Sequence, residues 1–575
     1  MKYLFRLFSL VLCIVTVATS LVACNGTPEI EYTKYEQSTV QFNANSDVND
    51  DSYNTQLYYR NDLNQDMGDP MMIYDNGVFY AYGTRGVTNF QVITSTDLTN
   101  WTASQVCFTP QPGSWGTTDL WAPDIQKIGD KWYLYYTAKY VDPETREENC
   151  QMGVAIGDSP MGPFVQYTGI NANGETITLA DPAFAWKGHT ILDSHVFQDD
   201  DGQLYMYFSY DTNTAKKPHE EDPLENPDTG TSEIYGVKMK DPVTWDFSTL
   251  TRLISAGYKN LDETTRSIDW ETWSPSFAGR MECVEGPYMI KRDGKYFLTY
   301  TANSYVDTEY AVGYAVSDSP LGKYDKPNDT YLENMLLGVP GQTGTYINTR
   351  YLGFTTGTGH ASICKVGEQY MFAYHAHYNR HKWGELEDQY PGKTEWRALG
   401  YDYLLFDDNG NPYTNGPTYS LVNLPEVVSG YTNLATKATI KAEGKDAQYL
   451  NDQYTNRAFN TDEICKETQF EAGTRSIEIV FDSPVYVKAV NVYNSYDYNK
   501  KTDFISQIDF GEGRGIVNVL FNQRYLNFDT KWIYPHSAYN IELEEMLYTD
   551  RIVITFESDK DFALGEIEII GKEKI

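Results

Sequence analysis

A strand–turn–strand unit that returns five times is the feature that most constrains this chain. The first copy runs Gly68-Asp69-Pro70-Met71-Met72-Ile73-Tyr74, turns at Asp75-Asn76-Gly77 and comes back as Val78-Phe79-Tyr80-Ala81-Tyr82. Asn-Gly accepts the positive φ angles of a tight hairpin. The later copies span 122–136, 192–207, 284–300 and 359–374, and each joins a short apolar strand to a Gly-bearing turn and a Tyr-rich strand. Downstream, Gly153-Val154-Ala155-Ile156-Gly157-Asp158-Ser159-Pro160 echoes Gly313-Tyr314-Ala315-Val316-Ser317-Asp318-Ser319-Pro320, which reads as a third strand and a turn. Small sheets that recur at such intervals bury their faces against one another, and radial repetition gives a β-propeller. Five copies predict five blades over 61–425, closed by the strand and turn Tyr403-Leu404-Leu405-Phe406-Asp407-Asp408-Asn409-Gly410.

The remaining length calls for more than one domain, since 575 residues exceed a single ordinary core. From about 430 the texture changes to runs such as Ser476-Ile477-Glu478-Ile479-Val480-Phe481 and Arg551-Ile552-Val553-Ile554-Thr555-Phe556. Their period of two predicts a β-sandwich over 430–575. The fold class expected is therefore all-β, a propeller followed by a sandwich.

The first residues read as a targeting segment. Lys2 and Arg6 precede the apolar stretch Leu7 to Ala18, and Leu21-Val22-Ala23-Cys24 matches a bacterial lipoprotein cleavage box. Residues 1–23 are then removed and lipidated Cys24 anchors the protein to the cell envelope. The polar segment 24–60 reads as a flexible tether. The remaining cysteines, Cys107, Cys150, Cys283, Cys364 and Cys465, are odd in number and lack Cys-x-x-Cys spacing, so no metal or redox site follows. A net charge of −35 argues against nucleic acid or an anionic membrane surface as a partner, while a neutral polysaccharide remains compatible. The chain is expected to act as a monomer.

Carboxylates carry the chemistry. In a propeller the first strand of each blade lines the axis, so equivalent points of distant repeats converge. Asp69, Asp193 and Glu285 stand at or near that point of repeats one, three and four. Glycoside cleavage needs one acid for the leaving oxygen and one base to activate water. Acids round one funnel push each other's pKa values apart, so that one stays protonated while another is ionised. Asp124, at the same point of the second repeat, is the alternative third acid. Asp181-Pro182 lacks the following turn and aromatic strand and reads as a loop, and Asp199-Asp200-Asp201-Gly202 reads as a hairpin turn in preference to a calcium loop. Trp115, Trp121 and Trp273 are sugar platforms or propeller core. His195, His375 and His377 are candidates to line the pocket.

On these motifs residues 61–425 resemble glycoside hydrolase family 43, the five-bladed group of arabinofuranosidases, xylosidases and arabinanases. The resemblance implies Asp69 in Gly-Asp-Pro as general base and Glu285 in Val-Glu-Gly-Pro as general acid. It implies Asp193 in Leu-Asp-Ser as the acid that orients Glu285 and raises its pKa, although Ser194 stands where many members have Pro. Arg397 falls where the family often places a sugar-contacting arginine, and Trp121-Ala122-Pro123-Asp124 is typical of it. The substrate-binding set expected is Arg397, Trp121, Trp115 and His195. His360 resembles an axial histidine beside an ion or water. No cofactor is required on this reading, and a structural calcium in the axis is the candidate ion. The tail resembles a discoidin-like (F5/8 type C) jelly-roll carbohydrate-binding module, a kind that often binds terminal sugars, through Asn433-Leu434-Ala435, Leu450-Asn451-Asp452 and Gly565-Glu566-Ile567-Glu568-Ile569-Ile570-Gly571. The expectation is an inverting, exo-acting α-L-arabinofuranosidase, with β-xylosidase second and a non-catalytic glycan-binding propeller as the alternative of another class.

Overall fold

The computed structural model describes strand 40–43 and residues 53–573, apart from 62–64, 212–229, 264–266, 273–280, 308, 328–333, 339–354, 379–396, 419–420, 456–465, 496–499, 501, 503, 512–514 and 521–537. Cys24, Trp273 and Cys465 lie outside the described residues.

Five antiparallel sheets succeed one another along 68–414. Their innermost strands are Gly68–Asp75, Trp121–Ile128, Thr190–Gln198, Val284–Arg292 and Thr355–Val366. Each is followed by the second strand of its blade: Val78–Thr84, Lys131–Val141, Leu204–Asp211, Lys295–Ala302 and Gln369–Tyr378. The hairpins between them use the expected turn chemistry. Asn76 and Gly77 have φ of 51° and 83°, and Asp293 and Gly294 have 50° and 78°. Ring closure comes from the chain ahead of blade 1. Met67 donates to the Arg397 carbonyl at 2.8 Å, Leu399 donates to that of Gln65 at 2.9 Å, and Tyr58–Tyr59 pairs with Val422–Asn423.

The Tyr-rich second strands explain how the blades pack. Tyr82, Tyr135, Tyr136, Tyr207, Tyr300 and Tyr374 are all fully buried between sheets. A buried hydroxyl needs a partner, and the turn of the next blade supplies several. Tyr82 donates to the Pro160 carbonyl at 2.5 Å, Tyr207 to Pro320 at 3.1 Å and Tyr135 to Pro242 at 2.8 Å. Pro160 and Pro320 end the two echoing Asp-Ser-Pro segments, so that repeat is an acceptor for the preceding blade.

Beyond the propeller, a short helix Glu426–Ser429 ends at Gly430 in the left-handed conformation, φ 76°, which favours glycine. The chain then enters a nine-stranded antiparallel sheet dominated by Gly473–Asn494, Ala538–Ser558 and Phe562–Lys572. Ile477, Ile479 and Phe481 alternate into its core with Ile552, Ile554 and Phe556. Alternation stops over Ala489–Asn494, where every residue is buried. There one face meets the core and the other meets the propeller: Ala489 packs with Tyr58 and Leu421, and Tyr58 donates to Asn491 at 2.9 Å.

The tether expected through residue 60 is therefore too long. Tyr53, Leu57 and Tyr58 are buried between the two halves, and Val40–Asn43 pairs with Ala538–Ser558. Large side chains gain about 1.5–3 kcal/mol each on such burial, which a solvated linker forgoes.

Candidate active site

All five innermost strands carry the same irregularity. Each shifts register against its second strand, between Gly68 and Met71, Trp121 and Asp124, Leu192 and His195, Glu285 and Tyr288, and Gly359 and Ser362. Within each shift one residue is left-handed: Asp69 at φ 49°, Ala122 at 45°, Asp193 at 57°, Gly286 at 59° and His360 at 48°. Such bulges re-aim side chains next to active sites. The residue that follows is Pro70, Pro123, Ser194, Pro287 or Ala361. Proline suits the place because no ladder hydrogen bond is lost there.

The freed N–H of each bulge residue is accepted by a side chain on the second strand of the preceding blade. Ala122 donates to Thr84 Oγ1 at 3.0 Å, Asp193 to Thr137 Oγ1 at 2.9 Å, Gly286 to Ser209 Oγ at 3.2 Å and His360 to Thr301 Oγ1 at 2.8 Å. At the ring closure Asp69 donates to His375 Nδ1 at 3.2 Å. Burial pushes His375 down to about 3, so the ring is neutral and its Nδ1 accepts. It cannot also donate to Asp69 Oδ1, 3.5 Å away. Sequence reading singled out only His375 of these acceptors. A signal was present in the recurring small or hydroxylic residue after an aromatic run, as in Tyr136-Thr137-Ala138 and Tyr300-Thr301-Ala302.

These latches place the acids. Asp69 and Asp193 occupy the bulge itself, whereas Glu285 stands one residue earlier, at the position Trp121 holds in blade 2. Asp69, Asp193, Gly286 and His360 line one axial hollow. Burial opposes the Asp69 charge, but Arg397 Nη1 at 2.8 Å from Oδ1, with His360 Nδ1 at 3.4 Å, holds the carboxyl well below the usual range. Burial drives Glu285 the other way, to about 7. A hydrogen bond from Tyr310 to Oε1 at 2.6 Å counters part of that rise, the Asp69 charge adds to it, and Cys283 Sγ lies 3.5 Å from Oε2. Asp193 is also raised, by burial and then by the charges of Glu285 and Asp69, while Gly286 N–H at 3.2 Å and Ser209 favour its ionised form. Two neighbouring buried acids both raised keep a proton past the normal carboxylate range.

Tyr310 was missed by the sequence reading because it lies in a loop outside the repeats. It stacks on His375 with ring centroids 5.3 Å apart. Arg397, expected against sugar, sits over Tyr305 at 4.9 Å and holds Asp69. Gly68 makes this approach feasible, since a Cβ there would lie 2.3 Å from Arg397 Cζ. Gly68→Ala is expected to displace the guanidinium with little change in unfolding temperature, because the clash is with a flexible side chain. Turnover should fall about 10- to 100-fold, as for comparable misplacements of about 1 Å, and the acid limb of the pH profile should move up as Asp69 loses its clamp. An unchanged profile would break the link between Arg397 and Asp69.

Trp121 is 36% exposed at the mouth. Trp115 is half-buried against the blade 1–2 seam and stacks on Tyr136 at 5.9 Å and 10°. His195 lies two residues past Asp193, is 4% exposed, stacks on Tyr288 at 3.8 Å and has Nδ1 3.2 Å from Asp124. It lines the same axial hollow as Asp69 and Asp193. Asp124 accepts Val196 N–H at 2.9 Å and stitches blade 2 to blade 3.

The axial hollow offers about 20 Å³, room for one water. Ser194 Oγ and His195 Nε2 are buried without a hydrogen-bond partner. Among the described residues no three His, Cys, Asp or Glu side chains are arranged to hold a metal.

A five-bladed propeller that gathers opposed carboxylates on its axis defines a glycosidase. Residues 59–412 match the family described as Glycosyl hydrolases family 43, and the chain belongs to it. It is similar to an extracellular endo-α-(1→5)-L-arabinanase 2 of Bacillus subtilis (strain 168), 25% identical over 397 residues, covering 62% of this chain and 72% of that protein. It is also similar to a β-xylosidase of Xylanibacter ruminicola, 28% identical over 253 residues, covering 42% of this chain and 64% of that one. A solved thermostable family-43 glycoside hydrolase superposes with a TM-score of 0.46 and 26% identity, covering 64% of this chain and 98% of its own.

Proposed function

We propose that this chain hydrolyses glycosidic bonds of arabinose- or xylose-containing plant polysaccharides by single displacement with inversion. Asp69, kept ionised by Arg397, takes a proton from a water that attacks the anomeric carbon. Glu285, protonated near neutrality, donates to the leaving oxygen. Asp193 disfavours the Glu285 charge and, through Gly286, fixes the backbone beside it. The observation that carries this reading is the opposite displacement of two buried carboxyl groups, Asp69 down and Glu285 up, the second pushed partly by the charge of the first, the signature of divided base and acid roles.

Exo-acting α-L-arabinofuranosidase is the favoured specificity. A relative from Streptomyces chartreusis, described as an extracellular exo-α-(1→5)-L-arabinofuranosidase, is 25% identical over 281 residues. The β-xylosidase relative supports the second reading. Incubation with arabinan, arabinoxylan and 4-nitrophenyl α-L-arabinofuranoside and β-xyloside, followed by proton NMR of the first product formed, tests both points. Inverted arabinose is expected; retained configuration would end the single-displacement scheme.

The pH profile should be bell-shaped. The base must be charged, so activity is lost on the acid side only as Asp69 protonates, well below the ordinary carboxylate range. The acid must be neutral, so activity is lost as pH rises through about 7. Tyr310→Phe removes a donor that favours ionised Glu285, and the alkaline limb of kcat/KM should move to higher pH. Movement to lower pH would contradict the assignment.

A further inference from the structure

Tyr305 is 39% exposed, so its ring gains less from burial than the tyrosines sealed between blades. What it covers is Arg397, whose Cζ lies 4.9 Å from the ring centroid. The guanidinium in turn donates from Nη1 to Asp69 Oδ1 at 2.8 Å. The same connection between Lys295–Ala302 and Ala311–Ser317 carries Tyr310, which donates to Glu285 Oε1 at 2.6 Å. Asn303 holds that connection. It is buried, left-handed at φ 76°, and its amide donates to the Trp270 carbonyl at 2.9 Å and the Glu309 carbonyl at 3.0 Å. One stretch of chain thus touches both the acid and the cation that holds the base.

We propose that Tyr305 is a positioning residue for the base: its ring keeps the Arg397 guanidinium seated on Asp69 and keeps water off the pair. An aromatic face attracts a guanidinium, more strongly once water is excluded, and the planar fork of arginine can stack and donate at once. A pair shielded from water is also less screened. The titratable groups facing Arg397 are Asp69, Tyr310, Tyr305 and Glu285. Asp69 faces Arg397, His360 and His375, and it also meets the charges of Asp193 and Glu285. Burial pushes His360 down and His375 to about 3, so both rings are neutral at neutral pH. Arg397 is then the cation on which the Asp69 charge depends, and its seating decides when Asp69 protonates. That Asp69 is a base rests on the hydrolase reading; the seating of Arg397 does not.

Full-length Tyr305→Ala and Tyr305→Phe test this in the pH profile of kcat/KM and in urea unfolding. Tyr305→Ala should lower kcat/KM about tenfold near neutrality. It should also move the acid limb up by about one pH unit, because Asp69 protonates sooner under a looser cation. Tyr305→Phe keeps the ring face and should recover most of both effects. The unfolding measurement needs no turnover. A carboxyl whose pKa is lowered on folding stabilises the protein above its unfolded value, and that stability is lost as pH falls through the folded value. The gap in urea midpoint between wild type and Tyr305→Ala should therefore be widest at about pH 7 and narrow below about pH 4. A ring that only packs would leave the acid limb in place and give a gap independent of pH; a pH-independent gap overturns the proposal, and so does an unmoved acid limb. Absent turnover of every glycoside by the wild-type protein would defeat the hydrolase reading, and the midpoint gap would then decide the role of Tyr305 alone.

Discussion

Glu285→Gln is expected to lower kcat by about 10²–10⁴-fold on natural oligosaccharides, and by much less on 4-nitrophenyl glycosides. The reason is the leaving group. A sugar hydroxylate is a strong base and needs a proton in the transition state, whereas 4-nitrophenolate leaves with little help. Asp69→Asn should cost a similar factor on both substrates, since water must be activated whatever departs. The paired measurement therefore separates acid from base without assuming either. If Asp69→Asn shows the leaving-group dependence and Glu285→Gln does not, the two roles are exchanged. If neither variant loses more than about threefold, the proposed site is not where the chemistry happens. The asymmetry has a structural cause: Asp69 faces Arg397 and His360, while Glu285 meets the neutral hydroxyl of Tyr310 and the Cys283 thiol.

The second large effect concerns stability. Lys326 and Glu271 form an ion pair at 2.6 Å with both side chains fully buried between blades 3 and 4. Lys326 also donates to the Ser255 carbonyl at 2.8 Å, and Glu271 accepts Gly257 N–H at 2.6 Å and the Tyr300 hydroxyl. Lys326→Ala leaves a buried carboxylate without its cation and should destabilise the protein by about 3–5 kcal/mol, read as a drop in the urea midpoint. Removing both charges with Lys326→Met and Glu271→Gln should cost less, because no lone charge remains. A single-variant loss below about 1 kcal/mol would show that water or another group compensates the carboxylate. Turnover by the folded fraction of Lys326→Ala should remain, since the pair lies outside the axial hollow.

Much of the site was legible because a repeated motif marks a repeated place. Asp69 and Asp193 fall on the bulge in their copies, and the motif alone predicted that they share a hollow. Glu285 is displaced by one residue, which the eye tolerates when copies are aligned. Tyr310 left no such trace: it sits in an unrepeated loop of blade 4, from which it reaches Glu285 of the same blade while stacked on His375 of blade 5. Trp115 and His195 show a related limit. Residue type says that an aromatic or imidazole ring can meet a sugar, but whether it faces the funnel or a seam between sheets depends on neighbours far away in sequence. The tether failed at its end because Tyr53, Leu57 and Tyr58 belong to a core whose other half lies beyond residue 420.

Local chemistry thus determined the strands, the hairpins, the count of blades and the acids worth watching, because turn preferences and period-two burial act over a few residues. Tertiary structure alone decided which carboxyl is charged and which keeps its proton. Ionisation depends on burial and on charges a few ångströms away, and Arg397 lies 328 positions from the Asp69 it holds.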